Sequence, residues 1–283
     1  MQIYYKNFQG SDRLLDLTSP RIMGILNFTP DSFSDSGKFF TLDKALFQVE
    51  KMLNDGADII DIGGESTRSN AEIVTLEQEL ERVVPLVEAV RKRFDCLISV
   101  DSSKAEVFRQ SAQVGADILN DIRALQEPNA LETAVELGLP VCLMHMQGTP
   151  QNMQQNPSYD DVVEEVADFL NQRIFACTMA GIPKEHIILD VGFGFGKTVQ
   201  HNYQLLKHLN AFVASGYPVL AGLSRKSMIG NVINKPVDQR VAGSVAGALL
   251  AVQNGAKIVR VHDVAETADA LKVWQAMVNA DNI

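Results

Sequence analysis

Apolar residues in this chain follow two alternating patterns. Stretches with helical spacing run into a glycine, and one to five residues later a short continuous apolar run begins. Six glycines mark the junction: Gly56 before DIIDIGG, Gly115 before DILNDI, Gly138 before PVCLMH, Gly181 before IILD, Gly216 before PVLAGLS and Gly255 before IVRVHD. A glycine just past a helix supplies the left-handed C-cap that turns the chain into the next element. Continuous apolar runs bounded by turn residues read as buried strands. With RIMGILN and LISVD added, eight strands are predicted near 21–27, 58–64, 97–101, 118–122, 140–145, 187–190, 218–224 and 258–263. Helices are predicted over 42–55, 76–93, 104–114, 129–137, 160–180, 202–214, 227–232 continued by 237–253, and 265–278. Strict alternation of strand and helix implies parallel pairing, and eight units in one chain imply an α/β fold, a (β/α)₈ TIM barrel; an open doubly wound sheet is the alternative. Residues 1–17 read as a hairpin, IYYKNF and RLLDL about a turn near Gly10, that closes one end of the barrel. No linker interrupts the pattern, so 1–283 is expected to be a single domain.

The bulk numbers narrow the function. A formal net charge of −10 argues against a nucleic-acid or anionic-membrane surface. No apolar run approaches a membrane span and the first residues lack a signal-peptide core, so a cytoplasmic location is expected. Three widely spaced cysteines, Cys96, Cys142 and Cys177, fit free thiols in a reducing compartment.

Each predicted strand ends in a polar residue: Asn27; Asp61 with Glu65; Asp101; Asn120 with Asp121; His145; Asp190; Ser224, Arg225 and Lys226; Arg260, His262 and Asp263. At the C-terminal rim of a barrel such residues converge on one pocket. Asp101, Asn120 and Asp190 offer acceptors, and Asn120 a donor, for a heterocycle with amino and amide edges. Arg260 and His262, two apart on a strand, point the same way, and with Asn27 from the neighbouring strand could clamp a phosphate. The alternatives are a structural ion pair for Arg260 and a rim histidine for His262. SRKS at 224–227 leads into a helix whose N-terminus could take a carboxylate or phosphate. Arg-Lys in a first turn would oppose the helix dipole, which argues for a use. GFGFGKT at 192–198 looks like a phosphate loop, but Val191 stands where that motif needs its first glycine; it reads instead as a flexible strand-to-helix loop in which Phe193 or Phe195 meets a ligand. The five histidines show no zinc spacing, while Mg²⁺ bound through Asn27 and substrate phosphate oxygens is compatible.

The runs GILNFTPDSFSD (24–35), DIIDIGGESTR (58–68), ISVDSSK (98–104), LNDIRAL (119–125), VCLMHMQG (141–148), GFGFGK (192–197), SRKSMIG (224–230) and RVHDV (260–264) span nearly the whole chain. Together they resemble the dihydropteroate synthase family, pterin-binding barrel enzymes of folate biosynthesis. The resemblance implies a transferase that joins 6-hydroxymethyl-7,8-dihydropterin pyrophosphate to 4-aminobenzoate by a dissociative substitution, with Mg²⁺, as a homodimer and a sulfonamide target. It implies that Asp101, Asn120, Asp190 and Lys226, with Arg260, Phe195 and Met144, hold the pterin, and that Asp101, Lys226, Arg260 and Asn27 serve catalysis. Asn27, Arg260 and His262, with Thr67 and Arg68, would hold the pyrophosphate, and Asn27 the metal. Thr67, Arg68, Ser69, Phe33, Phe195, Ser224, Lys226 and Ser227 would surround the aminobenzoate. Loops after the first two strands would close over it.

Two departures from the family pattern stand out. Ser69 replaces the proline of STRPG, which removes a φ restraint and is expected to alter affinity for aminobenzoate and its sulfonamide mimics. Val191 replaces the proline of Asp-Pro-Gly and is expected to loosen the backbone beside Asp190. Methyltetrahydrofolate-binding methyltransferase modules, or a pterin-binding barrel without chemistry, are the competing readings; the SRKS and TPDSFSD runs speak against the first, and retained Asp101, Lys226 and Arg260 against the second. An apolar face of Val245, Leu249, Val252, Val273 and Trp274 would serve the homodimer or pack on the barrel.

Overall fold

The computed structural model describes residues 1–28, 38–65 and 74–282. Its order is β1 (Gln2–Lys6), β2 (Asp12–Asp16), β3 (Arg21–Asn27), α1 (Lys38–Asn54), β4 (Ile59–Gly63), α2 (Leu76–Arg93), β5 (Leu97–Asp101), α3 (Ala105–Gln113) and β6 (Ile118–Asp121). Then come α4 (Ala130–Leu137), β7 (Val141–Met144), α5 (Val162–Ala180), β8 (Ile187–Asp190), α6 (Val199–Lys207) and α7 (Leu209–Val213). The chain ends with β9 (Val219–Ala221), α8 (Ser227–Ile233), α9 (Val241–Gln253), β10 (Ile258–Val261) and α10 (Val264–Val278). Strands β3 to β10 close into a parallel barrel in sequence order, β10 pairing with both β9 and β3. The six expected junction glycines all take positive φ, from 64° at Gly138 to 116° at Gly115, which side chains bearing a Cβ rarely adopt.

The antiparallel hairpin β1–β2 closes the barrel's N-terminal end. It buries Ile3, Tyr5, Leu15 and Leu17. Gln9 donates to the carbonyl of Gln113, the last residue of α3, at 2.8 Å, and Arg13 pairs with Asp95 in the loop before β5 at 2.8 Å. A repeated sequence device secures the same end. Gly-Ala-Asp-Ile occurs at 56–59 and again at 115–118. In each copy the aspartate accepts a backbone N–H from the preceding strand, Asp58 from Ile22 at 2.8 Å and Asp117 from Ile98 at 3.0 Å. These carboxylates satisfy donors that the barrel ladder leaves over.

Several expected boundaries move. The strands expected at 218–224 and 258–263 stop at Ala221 and Val261, so Ser224, His262 and Asp263 stand on loops. The helix expected over 202–214 starts at Val199, because Thr198 caps it and exchanges hydrogen bonds with His201 in a capping box. It breaks at His208, and α7 follows. Val191 is fully buried, so the backbone next to Asp190 is anchored by side-chain packing where a loosened segment was expected. Val252 is also core and contributes nothing to an outer apolar face.

Candidate active site

Residues paired across neighbouring strands project to the same face. The register Asp101↔Asn120 and Asp61↔Ser99 therefore puts Asp61, Asp101 and Asn120 on the barrel's inner wall, with Asp190, level with Met144, on the opposite side of the mouth. Arg260, level with Met23, faces them from β10. Its Nε donates to Asp61 Oδ2 at 2.6 Å and an Nη to Asp101 Oδ2 at 2.7 Å. Asn120 Nδ2 donates to Asp61 at 3.3 Å. The structural ion pair weighed for Arg260 is thus present, and it is doubled. Burial works against the Arg260 charge, but the two carboxylates outweigh it and its pKa rises. Burial pushes the Asp101 carboxyl up to about 7 against the pull of Arg260, with Asp61 adding to the rise.

The second half of the wall comes from the loop between β8 and α6. Asp190 accepts the Gly192 N–H at 2.7 Å, and burial raises its pKa against the nearby Lys226 ammonium. Lys226 Nζ donates to the Phe193 carbonyl at 2.5 Å and lies 4.6 Å from the centroid of the Phe195 ring. Burial lowers Lys226 to about 8, partly offset by Asp190. The flexible connection expected for GFGFGKT is instead a fixed turn. Gly192 has φ +69°, and a Cβ there would lie 1.8 Å from the His145 carbonyl oxygen. Lys197 is buried inside the turn and bonded to His145 Nδ1, Gly192 O and Phe195 O, each at 2.9 Å. Phe193 is fully buried; of the two phenylalanines, Phe195 reaches the mouth and packs with Met144 and Met153.

These groups open on a cavity of about 440 Å³ lined in part by Asn27, Asp101, Phe195, Ser224, Lys226, Ser227, Arg260 and His262. Its mouth also carries Arg225, Gln154 and Glu65. Ser224 Oγ accepts the His262 backbone N–H and lies 3.1 Å from His262 Nδ1, which joins the tips of the last two strands. The Arg-Lys pair does not occupy a helical first turn. Arg225 sits at φ +59° and bonds Asp263 through Nε at 3.0 Å, while Lys226 is the residue before α8. The dipole argument for a use of these cations therefore does not apply; the inward course of Lys226 does. Asp121 faces outward and accepts the Arg123 and Leu125 N–H groups, both at 2.8 Å. Phe33, Thr67, Arg68 and Ser69 lie outside the described residues.

Among the described residues no group of three or more His, Cys, Asp or Glu is arranged to hold a metal ion. Among the described residues the two carboxylates on the lining are already paired, Asp101 with Arg260 and Glu65 with Lys104, which leaves neutral oxygens such as the Asn27 amide to face a hard cation. That donor set fits a cation that keeps most of its shell as water and phosphate oxygen, as Mg²⁺ does. Three groups at the centre had no assigned role from sequence. Asp61 was visible as a strand tip. His145 was visible in the same way, but nothing in the sequence paired it with Lys197, 52 residues away.

The sequence profile described as "Pterin binding enzyme" matches residues 23–262. The chain is 70% identical over 280 residues to the dihydropteroate synthase of Haemophilus influenzae, covering 99% of this chain and 100% of that protein. Its structure superposes with a TM-score of 0.91 on the Yersinia pestis dihydropteroate synthase in a sulfonamide drug complex, at 52% identity over 98% of this chain and 100% of that one. It superposes with a TM-score of 0.89 on the Xanthomonas albilineans enzyme with 4-aminobenzoic acid, at 51% identity over 94% and 95% of the two chains.

Proposed function

The chain belongs to the dihydropteroate synthases, a family of pterin-binding enzymes, and from that premise we propose which of its residues carry each part of the reaction. In that reaction the bond from the pterin methylene carbon to the pyrophosphate oxygen breaks, and pyrophosphate leaves with the electron pair. The arylamine nitrogen of 4-aminobenzoate bonds the carbon and loses a proton, giving 7,8-dihydropteroate.

Asp101, Asn120, Asp190 and Lys226 take the hydrogen-bonding edges of the pterin, and Phe195 with Met144 gives it an apolar wall. The observation that carries this reading is the strand register that brings Asp101, Asn120, Asp190 and Arg260 to one inner wall. Arg260, already fixed by two carboxylates, presents its guanidinium plane to the ring and its remaining N–H groups to the pyrophosphate, with Asn27 and His262 beside it. A planar donor needs such fixing to act without reorganising. Asp101, when ionised, stabilises positive charge on the pterin as the C–O bond lengthens in a dissociative path. Ser224, Ser227 and Lys226 meet the aminobenzoate at the cavity mouth. Thr67, Arg68, Ser69 and Phe33 join the arene or pyrophosphate pocket on the family resemblance alone, and sulfonamides compete for the same place.

Mg²⁺ held by Asn27 and the substrate's phosphate oxygens would neutralise charge on the leaving group. No helix among the described residues is long and apolar enough to cross a membrane; a cytoplasmic location fits the three free, buried thiols and is checked by cell fractionation. The test of the whole reading mixes purified chain with the pterin pyrophosphate, 4-aminobenzoate and Mg²⁺. Pyrophosphate release that requires the arylamine, stops on chelation and returns with Mg²⁺ is expected. Pterin binding without turnover overturns the catalytic assignment, and turnover indifferent to chelation removes the metal.

A further inference from the structure

Lys197 is a buried cation with no carboxylate within ion-pair distance among the described residues; its side chain is enclosed by backbone and by His145. Burying an ammonium is unfavourable unless every proton finds an acceptor. Here each does: His145 Nδ1, Gly192 O and Phe195 O all lie at 2.9 Å. Burial and the Lys197 charge push His145 down to about 3, which keeps the imidazole neutral and its Nδ1 free to accept. The ring is steadied edge-on against Phe169 at 5.0 Å.

The turn that Lys197 grips has almost no backbone ladder of its own. Gly192, Gly194 and Gly196 all have positive φ. Five successive carbonyls are instead taken one by one by side chains. Gly192 O and Phe195 O go to Lys197, Phe193 O to Lys226 at 2.5 Å, Gly194 O to Gln154 at 2.6 Å, and Gly196 O to Tyr159 at 2.7 Å. The backbone N–H of Gly192 meanwhile fixes Asp190. Lys197 therefore holds the two ends of a segment whose middle carbonyl orients Lys226 and whose Phe195 ring lies under the same ammonium.

We propose that Lys197, clamped on His145, is a positioning residue for the pterin pocket: it sets the 192–196 turn so that Asp190, Lys226 and Phe195 stand in binding geometry before substrate arrives. The inference rests on the pterin reading of the site. It also explains why a charge is kept here. A neutral apolar side chain of the same length would fill the space and leave three acceptors unpaired. Burial pulls Lys197 down to about 7 and the field of Asp190 opposes that shift, while hydrogen bonds to three acceptors favour the protonated form.

The experiment compares parent, Lys197→Met and His145→Phe. Each is checked for folding by circular dichroism and assayed well below its melting temperature. Equilibrium affinity for the pterin pyrophosphate alone, kcat, and KM for 4-aminobenzoate are measured. Lys197→Met is expected to weaken pterin affinity about tenfold or more, and to lower kcat, while the aminobenzoate KM changes by less than about threefold. His145→Phe, whose ring keeps its packing on Phe169, is expected to weaken pterin affinity in the same direction by a smaller factor. Lys197→Gln, which restores N–H donors without charge, should recover part of the loss. A folded Met variant with parental pterin affinity and kcat overturns the proposal. If Lys197→Met does not fold, parental affinity in His145→Phe overturns it. Failure of the parent itself to bind the pterin would instead refute the reading of the site, so the two outcomes are separable.

Discussion

Arg260 reaches past β3 to donate from Nε to Asp61 Oδ2 at 2.6 Å, and Asp61 is completely buried. The contact joins the second and last strands of the barrel across the mouth, and it leaves Asp61 shared between Arg260 and Asn120. Asp61 touches no open part of the cavity, so its contribution is to hold two groups that do. Asp61→Asn keeps the shape but turns one charged acceptor into a neutral amide. The loss of a hydrogen bond between charged groups is expected to cost roughly 1.5–3 kcal/mol of stability. It should also lower kcat/KM for the pterin substrate by about tenfold or more, because an arginine that must be reoriented forfeits its preorganisation. Denaturant melts and steady-state kinetics on the same preparation decide it. A destabilised variant with parental kcat/KM would reduce Asp61 to a structural residue.

Asp101 gives a pH dependence with a defined sign. Its folded pKa of about 7 lies above the ordinary 3.8. Between those values the folded chain holds a proton that the unfolded chain has lost, so this group makes stability fall as pH rises through that window. Asp101→Asn removes the slope, and its melting temperature should gain more over the parent at pH 8 than at pH 5. Pterin affinity should run the other way, falling in the parent as pH drops below about 7 and Asp101 takes up its proton. Titration with 6-hydroxymethylpterin, which has no phosphate to ionise, removes the leaving group's own titration from the comparison. Affinity that stays flat from pH 5 to 8 would mean that Asp101 is ionised throughout.

The barrel was legible because two local signals coincide at nearly every junction: a helix-ending glycine and an apolar run that stops at a polar residue. The tips were legible as a set but not as individuals. In Asn120-Asp121 a strand's period of two sends one side chain in and the other out. Only the register with Asp101 shows that Asn120 faces the pocket while Asp121 caps the loop beyond it. Asp61 was visible without a role, since its partner Arg260 lies 199 residues away. Lys197 was hidden further still, because three of its four acceptors are backbone carbonyls, which no residue pattern advertises. The helix after SRKS starts at Ser227 as expected, but nothing in the run shows that Arg225 turns outward to pair with Asp263 while Lys226 turns inward to the Phe193 carbonyl.

The outer face of α9 and α10 carries the last prediction. Ala246, Leu249, Leu250, Ala270, Val273, Trp274 and Met277 line most of an apolar groove of about 400 Å³, in which Val273 is 72% exposed and Met277 60%. Of the five residues expected there, Leu249, Val273 and Trp274 line the groove, Val245 is half-buried and Val252 belongs to the core. A groove of this character between the last two helices is the surface on which a second copy of the chain would bury apolar area, as the family resemblance implies for a homodimer. The parent is expected to sediment as a dimer at micromolar concentration. Leu250→Asp with Val273→Asp puts unpaired charges into the contact and should shift it to monomer. The groove and the cavity share no lining residue, so the monomer should retain most of the parental kcat. A parent that sediments as a monomer, or a double variant that stays dimeric, would remove this face as the contact.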